Sequence, residues 1–150
     1  MNIKIRHGIK SDIDIIVRFN KEMAYETEGI SLDQEKLNDG VKAVFEHDTK
    51  GFYIVAECDG NVVGQAMITY EWSDWRNAIF WWIQSVYVLP EYRKVGVFRS
   101  IFEQIKSMAN KSNVCGLRLY VDRDNKIAKK AYQNLGMCES HYDLFEMMIE

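Results

Sequence analysis

A single proline stands among the 150 residues, and no stretch rich in serine and glycine or in charge of one sign interrupts them. Nothing in the sequence reads as a linker, so residues 1–150 are expected to form one domain, and a 47% hydrophobic content gives it a sizeable core. Internal repeats and low-complexity segments are absent as well. The histidines number 3, His7, His47 and His141, and none pairs with a cysteine or carboxylate at ligand spacing, so no metal site is expected. The 3 cysteines, Cys58, Cys115 and Cys138, lack C-x-x-C spacing, and each lies in or beside an apolar run. Buried free thiols are the expected state. No apolar run approaches the roughly 20 residues of a membrane-spanning helix. The opening Met1-Asn2-Ile3-Lys4 also lacks the apolar core of a signal peptide. The expectation is a cytoplasmic protein with no membrane partner. Basic excess is missing too: 19 Lys and Arg against 22 Asp and Glu leave a net charge of −3, with the signs interspersed. A nucleic-acid partner is therefore not expected, and a small cationic substrate suits the balance better.

What is present is an interleaved run of strand and helix patterns. Ile3–Arg6 alternates as a short strand, and Ser11-x-x-Asp14 reads as a capping box opening a helix. Ser31-x-x-Gln34 opens a second helix, with the acidic connector Tyr25-Glu26-Thr27-Glu28-Gly29 between the two. Phe52–Cys58 and Val62–Tyr70 are strand patterns joined by Asp59-Gly60-Asn61, a hairpin signal. After a polar and aromatic loop, Ala78–Leu89 is apolar almost without interruption, which suits a central strand. A helix follows Gly96 to about Asn110. Cys115–Val121 reads as a strand, Lys126–Leu135 as a short helix and Tyr142–Ile149 as a last strand. This order predicts an α/β fold with a mixed sheet flanked by helices, and a parallel pair formed by the strands on either side of the helix after Gly96.

The segment Ile83–Ser100 carries the most chemical information. An apolar strand breaks at Pro90, passes through the basic turn Arg93-Lys94-Val95-Gly96 and enters a helix with Phe98, Ile101, Phe102 and Ile105 on one side. A strand that becomes a helix through such a turn offers backbone N–H groups and the positive end of a helix dipole, which is how a protein holds a phosphate or pyrophosphate. Cations at a helix start, as at Arg93 and Lys94, also favour an anion between them. Neither G-x-x-x-x-G-K-S/T nor G-x-G-x-x-G occurs, so other nucleotide-binding folds are disfavoured.

A second motif lies downstream, Asn125-x-x-Ala128-x-x-x-Tyr132-x-x-x-Gly136. Together with Arg93-Lys94-Val95-Gly96-Val97-Phe98 it resembles the GNAT superfamily of acyl-CoA-dependent N-acyltransferases. The phrase from Ser85 to Arg93 also resembles the family. One position departs from the pattern, since Phe98 stands where the family has Gly or Ala.

The resemblance implies a central mixed sheet of six to seven strands with about four helices. It also implies acetyl-CoA as cosubstrate, held by Val86, Tyr87 and Val88, by Arg93 to Arg99 (Arg93, Lys94, Val95, Gly96, Val97, Phe98, Arg99) and by Asn125. It implies direct attack by an amine, with Tyr132 protonating the departing thiolate as general acid. From the residues alone, Asn125 is equally a helix cap, Tyr132 a core aromatic beside Ile127, Ala131 and Leu135, and Gly136 a helix C-cap.

Some relatives in the family carry a Glu on the central strand. Here that region is Phe80-Trp81-Trp82-Ile83-Gln84, so Glu71 and Asp74 are the nearest carboxylates for a base or an acceptor contact. Tyr25, Glu26 and Glu28 suit an ammonium group through charge and cation–π contact, as do the Tyr70–Trp75 loop and Tyr120. The expected acceptor is a small-molecule primary amine, with a peptide amine as a further candidate. The tryptophans between Trp72 and Trp82 also suit a subunit interface, which makes a homodimer a further expectation. The alternative function is a non-catalytic acyl-CoA-binding or sensing module.

Overall fold

The computed structural model describes residues 1–150, and the chain divides into two compact units, Met1–Tyr120 and Val121–Glu150. The first unit is built on a five-stranded sheet of β1 (Ile3–His7), β2 (Phe52–Cys58), β3 (Asn61–Ser73), β4 (Ala78–Val88) and β5 (Val114–Leu119), in that spatial order. Neighbours are antiparallel except β4 and β5, the expected parallel pair. Between the strands run α1 (Ile13–Glu28), α2 (Gln34–Glu46) and α3 (Val97–Asn110).

Local chemistry accounts for these boundaries. The β2–β3 hairpin turns through Asp59 and Gly60, with φ of 51° and 81°, the positive pair that a type I′ turn requires. β3 runs to Ser73, beyond the expected Tyr70, because Glu71, Trp72 and Ser73 keep pairing with Phe80, Ile79 and Ala78. The expected serine caps give way to aspartates. The Asp12 carboxylate accepts the Ile9 N–H at 2.8 Å in a 3₁₀ turn ahead of α1, and Asp33 accepts the Lys36 N–H at 3.0 Å to cap α2. The acidic connector is corrected as well: Tyr25 to Glu28 form the last turn of α1, which ends at Gly29.

The two faces of the sheet are covered by different helices. On one face Tyr53 and Val55 pack with Ile16 and Val17 of α1 and Val41 of α2. Strand alternation sends Ile54, Ala66 and Ile68, all fully buried, to the other face. There Gly64 backs onto Val97, and α3 buries Val97, Ile101 and Ile105. At the edge of the sheet, Arg6 of β1 joins Asp12 at 2.7 Å and Glu57 of β2 at 2.8 Å.

The second unit contains α4 (Lys126–Asn134). The Asn125 side chain caps it by accepting the Ala128 N–H at 3.0 Å. It ends at Gly136, φ 98°, where Met137 N–H donates to Tyr132 O and Gly136 N–H to Gln133 O in a Schellman motif. The expected strand at Tyr142–Ile149 joins no ladder, so the sheet has five strands rather than six to seven. An apolar, extended sequence becomes a strand only beside a hydrogen-bonding neighbour, and Phe145 here is 93% exposed. The thiol expectation is corrected too, since Cys58 is buried but Cys115, on the edge strand β5, and Cys138, beyond α4, are exposed.

The Asp12 carboxyl is held below its ordinary value: burial pushes it up, but the Arg6 guanidinium and the Ile9 N–H outweigh that. A depressed carboxylate lends stability above its unfolded value, about 3.9, and loses it as pH falls through the lower folded value. Thermal melts from pH 7 to pH 2 are therefore expected to show a falling acid limb, part of which flattens in Asp12→Asn.

Candidate active site

The site begins with β4. Its parallel ladder with β5 ends at the pair Ile83 and Leu119, while β4 itself continues to Val88. On its other side the β3 register shifts: Met67 faces Gln84 and Gln65 faces Tyr87, so two steps along β3 match three along β4. The extra residue is a β-bulge at Ser85, whose φ is 51°. Beyond it the Leu89 N–H donates to Val63 O at 2.9 Å, toward β3. Strand alternation then turns the backbone groups of Val88 and Val86 toward the open edge left by β5. The Val88 carbonyl accepts the Arg93 Nε–H at 2.8 Å.

The chain leaves that edge through a 3₁₀ turn at Pro90–Tyr92 and a loop with φ of 64° at Lys94 and 91° at Gly96. The first intrahelical bond of α3 runs from Ser100 N–H to Gly96 O. The N–H groups of Val97, Phe98 and Arg99 precede that bond in the first turn of the helix, and no acidic residue stands in that turn. Val97 is buried, and the half-buried Phe98 ring lies 6.3 Å from that of Phe102 one turn on. The Phe98 side chain thus follows the helix, and its amide stays at the helix end. Lys94 and Val95 are exposed on the loop. Positive-φ backbone followed by a helix N-terminus fits the phosphate groups of a CoA-type ligand.

On the α1 side, Arg93 is not an isolated cation. Its Nη2 pairs with Glu26 at 2.8 Å, and its guanidinium lies 5.3 Å from the Tyr87 ring centroid. The Tyr87 hydroxyl meets Glu26 at 2.9 Å and Glu22 at 3.0 Å. Burial raises the Tyr87 phenol well above its ordinary value, and the two carboxylates add to that. The Arg93 hydrogen bond holds Glu26 below its own ordinary value, against some desolvation, so Glu26 is an ionised contact rather than a base. Beside it a cavity of about 280 Å³ is lined by Lys21, Glu22, Tyr25, Glu26, Ile30, Ser31 and Leu32. Glu28 is exposed at the end of α1.

Glu71 is occupied. It accepts the Trp82 indole N–H at 2.8 Å, and Arg118 Nη1 contacts both its oxygens at 3.1 Å. The Trp82 ring packs 4.6 Å from Tyr120, and Arg118 lies 3.6 Å over Phe80. These bonds make Glu71 a structural anchor of the β3–β4–β5 surface. Asp74 sits in the β3–β4 turn and accepts the Trp75 N–H. Trp81 is in the core, whereas Trp72 and Trp75 are exposed. Glu22, Arg118 and Gln65 escaped the sequence reading. Glu22 lies one helical turn before Glu26, and Gln65 is a polar residue inside an apolar strand; both signals are visible in hindsight.

Tyr132 and Asn125 belong to the second unit. Asn125 caps α4, and burial raises the half-buried Tyr132 phenol above its ordinary value.

Comparison with known proteins fits this geometry. Residues 15–137 match the model of the acetyltransferase (GNAT) family. The chain is 30% identical over 144 residues to the thialysine N-epsilon-acetyltransferase of Bos taurus, covering 89% of this chain and 83% of that one. A possible acetyltransferase from Clostridium difficile 630 is 46% identical and superposes with a TM-score of 0.93 over 100% of this chain and 99% of its own. A predicted acetyltransferase from Clostridium acetobutylicum, solved with acetyl-CoA, shares the fold at a TM-score of 0.80, with 17% identity over 97% of this chain and 96% of that one. The fold is that of an acetyltransferase, and the chain belongs to the GNAT acetyltransferase family. It is an N-acetyltransferase.

A Cβ at Gly96 would meet nothing within 4 Å, so the loop needs glycine for its backbone conformation and not for space. Gly96→Ala is expected to lower stability by about 1–2 kcal/mol, read by urea unfolding, and to weaken CoA binding in calorimetry.

Proposed function

We propose that residues 1–150 act as one catalytic domain that transfers an acetyl group from acetyl-CoA to the primary amine of a small molecule. The observation that carries this reading is the open edge of β4 at Val86 and Val88 leading directly into the loop-capped start of α3. The amides of Val97, Phe98 and Arg99, with Lys94 on the loop, would hold the pyrophosphate. Val86 and Val88 would pair with the amide-like arm that follows, and one of their N–H groups would polarise the carbonyl as an oxyanion donor. Bound acetyl-CoA would supply the acetyl group as a thioester open to direct attack by a neutral amine. Asn125 would bond the same arm while capping α4.

Tyr132 is the proposed general acid. A phenol is protonated at neutral pH, and burial, which raises Tyr132 further, leaves it so, with a hydrogen to donate to the departing thiolate. The acceptor's ammonium group would be drawn to the cavity edged by Glu22, Tyr25 and Glu26. Glu71 and Asp74, both engaged in local bonds, leave the amine proton to pass to solvent through water. The composition supports a cytoplasmic location. Pairing of two copies is supported by Trp72 and Trp75, 58% and 87% exposed.

The second reading, an acyl-CoA sensor without turnover, draws on Phe98 in place of a small residue and on the missing carboxylate of the central strand. CoA release from acetyl-CoA across a panel of amines separates the two: turnover on any amine supports the enzyme, and tight binding without turnover supports the sensor. With an accepted amine, Tyr132→Phe is expected to keep acetyl-CoA binding and to lower turnover at least ~10-fold. Unchanged turnover would remove Tyr132 from the mechanism.

A further inference from the structure

We propose that Gln65 is a positioning residue that clamps the Ser85 bulge and so aims the backbone of Val86 at the acyl group. This rests on the proposed donor role of the open edge.

Gln65 is completely buried in the middle of β3, where its neighbours Val63, Ala66 and Ile68 are all apolar. Its Nε2 donates to Ser85 O at 3.0 Å and to Asn20 Oδ1 of α1 at 3.3 Å, while its Oε1 has no partner. A buried amide with one unpaired oxygen lowers stability relative to an apolar side chain of the same shape, so packing alone does not account for it. Ser85 is a second costly feature, since its φ of 51° is unfavourable for a residue with a Cβ. The two meet in one hydrogen bond.

That bond acts on the phase of β4. Before the bulge the N–H of Ile79 points toward β5, bonding Asn113 O. Alternation gives Trp81 and Ile83 the same direction. An unbulged strand would continue this at Ser85 and Tyr87. The extra residue instead sends Val86 and Val88 to the open edge and turns the Tyr87 side chain toward α1, where its hydroxyl meets Glu22 and Glu26. With its carbonyl drawn sideways by Gln65, Ser85 is kept from rejoining the regular ladder. Asn20 ties the same amide to the helix that carries Glu22 and Glu26. One side chain thus fixes both the donor edge and the tyrosine that faces the acceptor side.

The experiment is isotope-edited infrared spectroscopy of carbonyl-labelled acetyl-CoA bound to the full chain, with CoA affinity from calorimetry. In the wild-type protein the carbonyl band should shift to lower frequency. Gln65→Met should lose most of that shift while CoA affinity stays within about 3-fold, because the pyrophosphate loop is untouched. Adding Ser85→Gly to Gln65→Met should restore the shift, since glycine holds the positive φ without a clamp. Gln65→Asn, which draws the amide one methylene back, provides a second folded variant and should behave like Gln65→Met. A full shift in either folded Gln65 variant overturns the clamp. No shift in the wild-type protein is a different failure: it removes the backbone donor itself, and the clamp with it.

Discussion

The backbone of β4 has two sides to satisfy, and β5 satisfies the outer one only as far as Ile83. Everything at the site follows from that mismatch. A buried strand edge without a partner is costly in a protein interior. Here the stretch beyond the ladder is short and leads straight out through Pro90. The Arg93 side chain already meets one of its groups, the Val88 carbonyl. The loop and the start of α3 continue the line with the N–H groups of the first helical turn. In the proposed site, strand edge and helix end together would form a row of backbone donors, a recognition device that asks little of side chains. The Phe98 ring lies along α3, 6.3 Å from that of Phe102.

Charge is arranged across this row with some economy. Cations stand on the loop side and carboxylates on α1, and Arg93 touches both through Glu26. Glu71 and Arg118, by contrast, neutralise one another and tie β3 to β5, as Arg6, Asp12 and Glu57 tie β1 to β2. The structural ion pairs bridge elements that need holding. The carboxylates of α1 face a tyrosine and a cavity.

Much of this was legible in the sequence, for identifiable reasons. The turn at Asp59-Gly60, the continuous apolar run of β4 and the register of Gly96, Asn125 and Gly136 are local signals, and each element stands where they place it. What escaped depends on partners far along the chain. Glu71 looks like a loop acid until Arg118 is known to lie across from it, 47 residues away. Glu22 gains its meaning from Tyr87, 65 residues on. The bulge left no mark because a serine, not a glycine, takes the positive φ. At Tyr142–Ile149 the local pattern was apolar and extended, yet a strand is a relation between two segments, and no ladder forms there.

A phenol has one hydrogen, and two carboxylates stand within bonding reach of the Tyr87 oxygen, at 2.9 and 3.0 Å. With both carboxylates ionised, only one contact can be a hydrogen bond at any instant; the other sets lone pair against lone pair. Each carboxylate also has an arginine beside it, Arg93 at 2.8 Å from Glu26 and Arg18 at 3.6 Å from Glu22, which offset that repulsion whichever way the hydroxyl turns. Any further species that brings hydrogens and positive charge to this pair must compete with two arginines that are already there.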